Sequence, residues 1–208
     1  MKKLLISLVT LILSEPSFAQ YNSGEVSLSE STMYYGLRLG ADLANFSGDG
    51  TGDYKTRTGM TLGFVVGLHV SEETPICLES GLYYTERGGK KNIPGGEETT
   101  SLCYLELPIL IKYGFELEND WAILPFVGPY FSLGAGGSII NKVNDTSISS
   151  FSRDNFSRPD MGFKLGCGAE YNHLYIEAGY QFGVANISQD DVHAVHGNAW
   201  FLNVGVNL

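Results

Sequence analysis

Seven charged residues stand one at a time in segments otherwise built of glycine and apolar side chains: Arg38, Glu79, Glu106, Lys112, Lys164, Glu170 and Glu177. Isolated charges of both signs in such surroundings either pair with one another or carry ions and protons along a shielded path. Two other stretches hold residue types suited to different chemistry. Asp190-Asp191-Val192-His193-Ala194-Val195-His196 sets carboxylates beside two imidazoles, the donors of a metal or general-base site. With no regular element to orient them, His193 and His196 make a loose ligand pair and read as a polar loop tip. Gly48-Asp49-Gly50-Thr51-Gly52-Asp53 suggests a cation loop but lacks the remaining ligands of an EF-hand. No Gly-x-Ser-x-Gly nucleophile motif occurs. The sequence therefore assigns no catalytic residue, no cofactor and no metal ligand.

The seven charges are positioned by a period of two. From about Tyr34 onward, apolar and polar residues alternate, as they do in strands with two unlike faces. Trp200, Leu202, Val204, Val206 and Leu208 oppose Phe201, Asn203, Gly205 and Asn207. Leu105, Leu107, Ile109, Ile111 and Tyr113 oppose Tyr104, Glu106, Pro108, Leu110 and Lys112. Six further segments follow suit, the one around Ala122–Ala135 least cleanly because Pro125 and Pro129 weaken its ladder. Eight strands are expected. Their connections alternate in length: short at Ser71–Pro75, Glu116–Asp120 and Asn172–His173, long at Leu43–Gly59, Glu86–Thr100, Gly136–Arg158 and Val184–Gly197. That alternation predicts an all-β, eight-stranded antiparallel up-and-down transmembrane β-barrel with short periplasmic turns and long extracellular loops. A two-residue turn at Asn172-His173 sets Lys164 opposite Gln181.

Residues 1–19 read as a signal peptide, with Lys2 and Lys3 before an apolar Leu4–Leu13 and a Ser17-Phe18-Ala19 cleavage site. Residues 20–33 form a short N-terminal segment and 34–208 the barrel domain. No later apolar stretch reaches the length of a transmembrane helix. Cys77, Cys103 and Cys167 are an odd, widely spaced set that gives no disulfide framework and reads as small apolar fillers. The formal net charge of −10 excludes nucleic acid as a partner.

Alternation does not say which face meets solvent, and a soluble lipocalin-like barrel would keep its apolar face inside. Three features point the other way. The polar face is mostly glycine with single charges, as the narrow interior of eight strands requires. Tyr35, Tyr84, Tyr113, Tyr171 and Trp200 stand on the apolar face towards strand ends, as in an interfacial aromatic girdle. Strands of about ten residues at roughly 45° tilt span a bilayer. The seven charges then point into the lumen as a structural polar network. Glu79 is expected to pair with Lys112, and Arg38 and Lys164 to meet Glu106 and Glu177 near mid-height.

Tyr-Leu-Glu-Leu-Pro-Ile-Leu-Ile-Lys-Tyr at Tyr104–Tyr113 and Leu-Glu-Ser-Gly-Leu-Tyr-Tyr-Thr-Glu-Arg-Gly at Leu78–Gly88 resemble hallmarks of the PorT-like outer-membrane β-barrel family. Gly36–Phe46 and the proline-interrupted Pro125–Tyr130 fit the same pattern. The resemblance implies an outer-membrane location and, for the family's namesake, a part in a secretion and gliding apparatus. It implies nothing more specific about activity. The expected partners are outer-membrane lipid, the barrel-assembly machinery during biogenesis, and an envelope protein in a secretion or envelope complex. A structural or interaction protein ranks first. A surface binder using its long loops for protein, glycan or a cation ranks second, and an outer-membrane enzyme a remote third.

Overall fold

The computed structural model describes residues 33–48, 51–70, 74–117, 119–144, 146–152, 156–189 and 194–208. The signal peptide, nearly all of the 20–33 segment, the loop residues Asp49, Asp145 and Asp154, and Asp190, Asp191 and His193 lie outside the described residues. Eight long strands carry the chain: β1 (Met33–Gly48), β2 (Tyr54–His69), β3 (Ile76–Ile93), β4 (Gly96–Tyr113), β5 (Trp121–Asn141), β6 (Pro159–Tyr171), β7 (Leu174–Gly183) and β8 (Val195–Asn207). Each pairs antiparallel with the next in sequence. β8 pairs back onto β1, from Asn207 opposite Gly36 to Val195 opposite Gly48. Every one of the eight is therefore hydrogen-bonded on both sides, and no long strand presents an open edge.

The alternation seen in the sequence is the alternation of the sheet's two faces. On β1, Leu37, Leu39 and Leu43 point outward while Arg38, Asp42, Ala44 and Phe46 are buried inside. On β4, Leu105, Leu107, Ile109, Ile111 and Tyr113 face out, whereas Tyr104, Glu106, Leu110 and Lys112 are buried. The outer face is apolar and the inner face carries the charges. Cys77 is buried on the inner side and Cys167 is exposed on the outer one, and all three cysteines are free thiols.

At one end the strands are joined tightly. Tyr171 pairs with Leu174 across Asn172-His173, and the expected partners Lys164 and Gln181 face each other. Asn172 takes a φ of 52°, a left-handed conformation that asparagine tolerates. At the other end the strands run much further than their alternation suggested. The stretch expected to be a loop at Glu86–Thr100 is a continuous hairpin, in which Lys90 pairs with Thr99, Lys91 with Glu98 and Ile93 with Gly96. Pro94-Gly95 makes its turn, with Gly95 at φ 90°, the position where a type II turn needs glycine. β1 likewise continues to Gly48, and β5 to Asn141, where Thr146–Ser149 folds back beside it. The correction has a simple physical cause. Beyond the apolar band the outer face meets polar surroundings while the inner face meets a mixture of polar and apolar packing under the loops, so alternation fades while backbone pairing continues.

Candidate functional site

Inward side chains of all eight strands meet along the barrel axis in two charge clusters separated by an apolar layer. Nearer the short turns lies a cluster centred on Lys112, which is fully buried. Its Nζ stands 2.8 Å from Glu79 Oε1 and 3.8 Å from Glu177 Oε2, and it donates to Tyr175 Oη at 2.7 Å. Arg38 Nη2 lies 3.5 Å from Glu79 Oε2 and donates to Asn207 Oδ1 at 2.7 Å. Glu79 also accepts from Tyr34 Oη at 2.7 Å, and Glu177 from Asn203 Nδ2 at 2.7 Å and Tyr175 Oη at 3.1 Å. The Tyr175 ring lies under the Arg38 guanidinium, 4.0 Å from its centroid. A Cβ at Gly168 would overlap that ring, so this inward glycine is the space the tyrosine occupies.

Leu110, Phe126 and Phe201 form the apolar layer above. The second cluster lies beyond it, nearer the long loops. Glu106 is clamped between Arg87 and Lys164 and accepts from Ser132 Oγ at 3.3 Å. Arg87 Nη1 reaches Asp160 Oδ2 at 3.0 Å, and Tyr130 Oη donates to the same oxygen at 3.2 Å. With its amide oxygen turned inward, Gln181 accepts from both Arg87 Nη atoms at 2.7 Å. Asp42 accepts from Thr61 and Thr85 hydroxyls, each at 2.5 Å.

Of the seven residues expected in the lumen, the structure brings six together in these clusters, with Glu79 and Lys112 paired. Glu170 is half-buried at the turn end of β6, opposite Tyr175, outside the ion-pair set. Arg38 corrects the expectation: it pairs with Glu79 rather than with Glu106 or Glu177, because its register with Gly205 and Gly63 sets it in the lower cluster. Arg87 takes the place at Glu106. Arg87 and Asp160 were missed because both fell in or beside presumed loops. Parity alone would have found them: Arg87 continues the inward series Glu79, Gly81, Tyr83, Thr85, and Asp160 the series Lys164, Gly162.

The loop end is closed by an apolar cap. Phe46, Leu102, Tyr104, Phe151 and Ile187 are buried there, with Tyr54, Phe156 and Val195 packed against them. Phe46 stacks on Phe156 at 5.4 Å, and Tyr104 meets Phe151 edge-on at 5.7 Å. Ser150, fully buried, ties the cap to β4 through its hydroxyl, which donates to Ser101 O at 2.7 Å. Loops expected to be solvated thus supply buried side chains, at least over Ser150–Phe151 and around Ile187. Outside the cap, the Glu97 carboxyl is held below its ordinary 4.5 chiefly by a hydrogen bond from Lys142 Nζ at 3.0 Å. Among the described residues, no group of three or more His, Cys, Asp or Glu could hold a metal ion.

A ring of antiparallel strands with an apolar exterior and a charged, filled interior defines a β-barrel of the outer-membrane kind. The sequence model of the outer membrane protein beta-barrel domain family matches residues 18–189. The chain belongs to that family and is an outer-membrane protein. Among solved structures, Neisserial surface protein A is similar at 16% identity over 85% of this chain and 97% of that one, with a TM-score of 0.47. Ail, the attachment invasion locus protein of Yersinia pestis, is 13% identical over 86% of this chain and 100% of its own, with a TM-score of 0.47. OprG from Pseudomonas aeruginosa is 12% identical over 87% and 98%, again with a TM-score of 0.47. No curated protein matches the sequence.

Proposed function

We propose that this protein is a plugged, transmembrane up-and-down barrel of structural or interaction type, which offers its loop end to a partner in the cell envelope. The filled lumen carries this reading. Buried Arg38, Arg87, Lys112 and Lys164 are ion-paired with buried Glu79, Glu106, Asp160 and Glu177, and Asp42 is held by Thr61 and Thr85 hydroxyls, which consumes internally the charge that an ion path would present to solvent. Eight strands leave an interior wide enough only for side chains. In this reading the tight turns face the periplasm and the long loops and the β3–β4 hairpin the exterior. The PorT-like segments in β1, β3, β4 and β5 support a place in an envelope or secretion complex. The seven-residue polar network, extended by Arg87, Asp160 and Asp42, has a structural role.

A surface binder acting through the loops is the second reading, favoured by a hairpin that projects on a rigid, paired base. Reconstitution into planar bilayers decides between a plugged barrel and a pore. No conductance steps are expected at neutral pH, and regular steps would overturn the plugged reading. Photo-crosslinking in cells then tests the interaction role: discrete adducts to an envelope protein are expected from probes at Asn92 in the hairpin. An absence of adducts at every loop-end position would leave only the structural role standing.

A further inference from the structure

The distribution of basic residues is lopsided. Among the described residues, every Lys or Arg not buried in the lumen lies at the loop end: Lys55, Arg57, Lys90, Lys91, Lys142 and Arg158. The chain as a whole is acidic, at −10. These cations therefore do not reflect a generally basic surface.

Register sorts them by face. Lys55 is the direct cross-strand partner of Lys90. Lys90 lies 4.0 Å from Glu97, which is 3.0 Å from Lys142. Lys55, Lys90, Glu97 and Lys142 thus share one side of the extended sheet. Tyr54 and Lys91 point to the other side, where Tyr54 packs into the apolar cap and Lys91 lies over its ring at 5.5 Å. The lysine side is the outer wall. Lys90 and Lys142 side chains are 41% and 61% exposed, and one carboxylate, Glu97, serves both. Below them Arg57 and Glu86 neutralise each other at 3.6 Å. The upper patch retains surplus positive charge.

Height selects the anion. Lys90 stands six residues beyond Tyr84, the last outward aromatic of β3. At roughly 3.3 Å per residue and about 45° tilt, that is about 14 Å above the ring along the membrane normal. A glycerophospholipid phosphate sits at the level of the aromatic belt, too low to reach. Phosphates borne on the sugars of a glycolipid in the outer leaflet stand at the right level and on the right side of the wall. We propose that Lys55, Lys90 and Lys142 form a docking patch for the sugar-borne phosphates of an outer-leaflet glycolipid. This rests on the proposed orientation of the loop end to the exterior.

The test uses the full barrel in phosphatidylcholine vesicles containing either a phosphorylated lipopolysaccharide or the same material after phosphatase treatment. Glycolipid retained by the tagged barrel after mild detergent extraction is measured. Wild-type protein is expected to retain the phosphorylated form preferentially. The variant Lys55→Gln/Lys90→Gln/Lys142→Gln should retain it roughly a hundredfold less, the scale expected of three cations facing an anionic surface. Lys91→Gln should behave as wild type. Folding of each variant is checked by its heat-dependent electrophoretic mobility. Equal retention of the two glycolipids, or undiminished retention by the triple variant, overturns the proposal. Orientation is read separately, by labelling Asn92→Cys on intact cells with a membrane-impermeant maleimide. Labelling only after the outer membrane is opened would overturn the orientation, and with it the outer-leaflet partner, whatever the vesicles show.

Discussion

Glu106 holds both cations of the upper cluster at once. It is the shared counter-ion of Arg87 and Lys164 in a region walled by Tyr130, Tyr83 and Phe201. Neutralising it leaves Arg87 with Asp160 and takes from Lys164 its ion-pair partner, since Asp42 in the same cluster is held by threonine hydroxyls, and an unmatched buried charge is expensive. Glu106→Gln keeps the shape and removes the charge, so it should destabilise the folded barrel by about 3–5 kcal/mol. Glu170, half-buried at the rim and outside the ion pairs, is the internal comparison. Glu170→Gln should cost less than about 1 kcal/mol, because the amide keeps the shape and a hydrogen bond while no ion pair is broken. Urea midpoints for the two variants refolded in the same lipid check the contrast. Equal midpoints would mean that the upper cluster is hydrated and its pairing nearly cost-neutral.

The strands divide into a lower part that the sequence shows and an upper part that it conceals. Leu105 to Tyr113 alternate because one face meets an apolar exterior and the other a packed lumen. Glu97 to Ser101 belong to the same strand but have lost that contrast, so only their hydrogen-bonded pairing reveals them. Lumen charges on the lower parts were legible by parity, and Arg87 and Asp160 were hidden only by presumed loop boundaries. Of the cap only Tyr104 was legible, by parity on β4. Phe151, Phe156 and Ile187 come from aperiodic segments and meet only in three dimensions. Their packing has a local consequence, since the backbone around them is tied by turn and loop bonds rather than a ladder, among them Ser150 N to Gly137 O, Phe156 N to Ser150 O, Ser157 N to Ile187 O and Ile187 N to Val195 O. Phe151→Ala should therefore free this element without unfolding the barrel, because local opening draws on local contacts. Hydrogen exchange should speed up at Ser150, Ser157 and Ile187 by roughly tenfold or more, while amides of β7 and β8 below Gly183 keep wild-type protection. Uniform loss of protection would show that the cap and the barrel form one cooperative unit.

Across the whole molecule, the lumen is closed by barriers in series rather than by a single gate. From the turn end come the Arg38–Glu79–Lys112–Glu177 cluster, the Leu110–Phe126–Phe201 layer, the Arg87–Glu106–Lys164–Asp160 cluster and the apolar cap. β4 contributes to all four, through Lys112, Leu110, Glu106 and Leu102, and only the cap depends on the loops. Removing the cap should therefore leave permeability unchanged, since the clusters below it still fill an interior that eight strands hold to side-chain width. The double variant Phe151→Ala/Ile187→Ala is expected to show no conductance steps in planar bilayers, even though its loop end has been opened. Adding Arg87→Ala and Glu106→Ala removes one cation together with one carboxylate of the next barrier but leaves the apolar layer and lower cluster in place, and this variant, its folding checked by heat-dependent electrophoretic mobility, should also stay closed. Steps in the first double variant would show that the cap alone seals the barrel and that the clusters beneath it conduct. The paired charges would then line a path instead of plugging it.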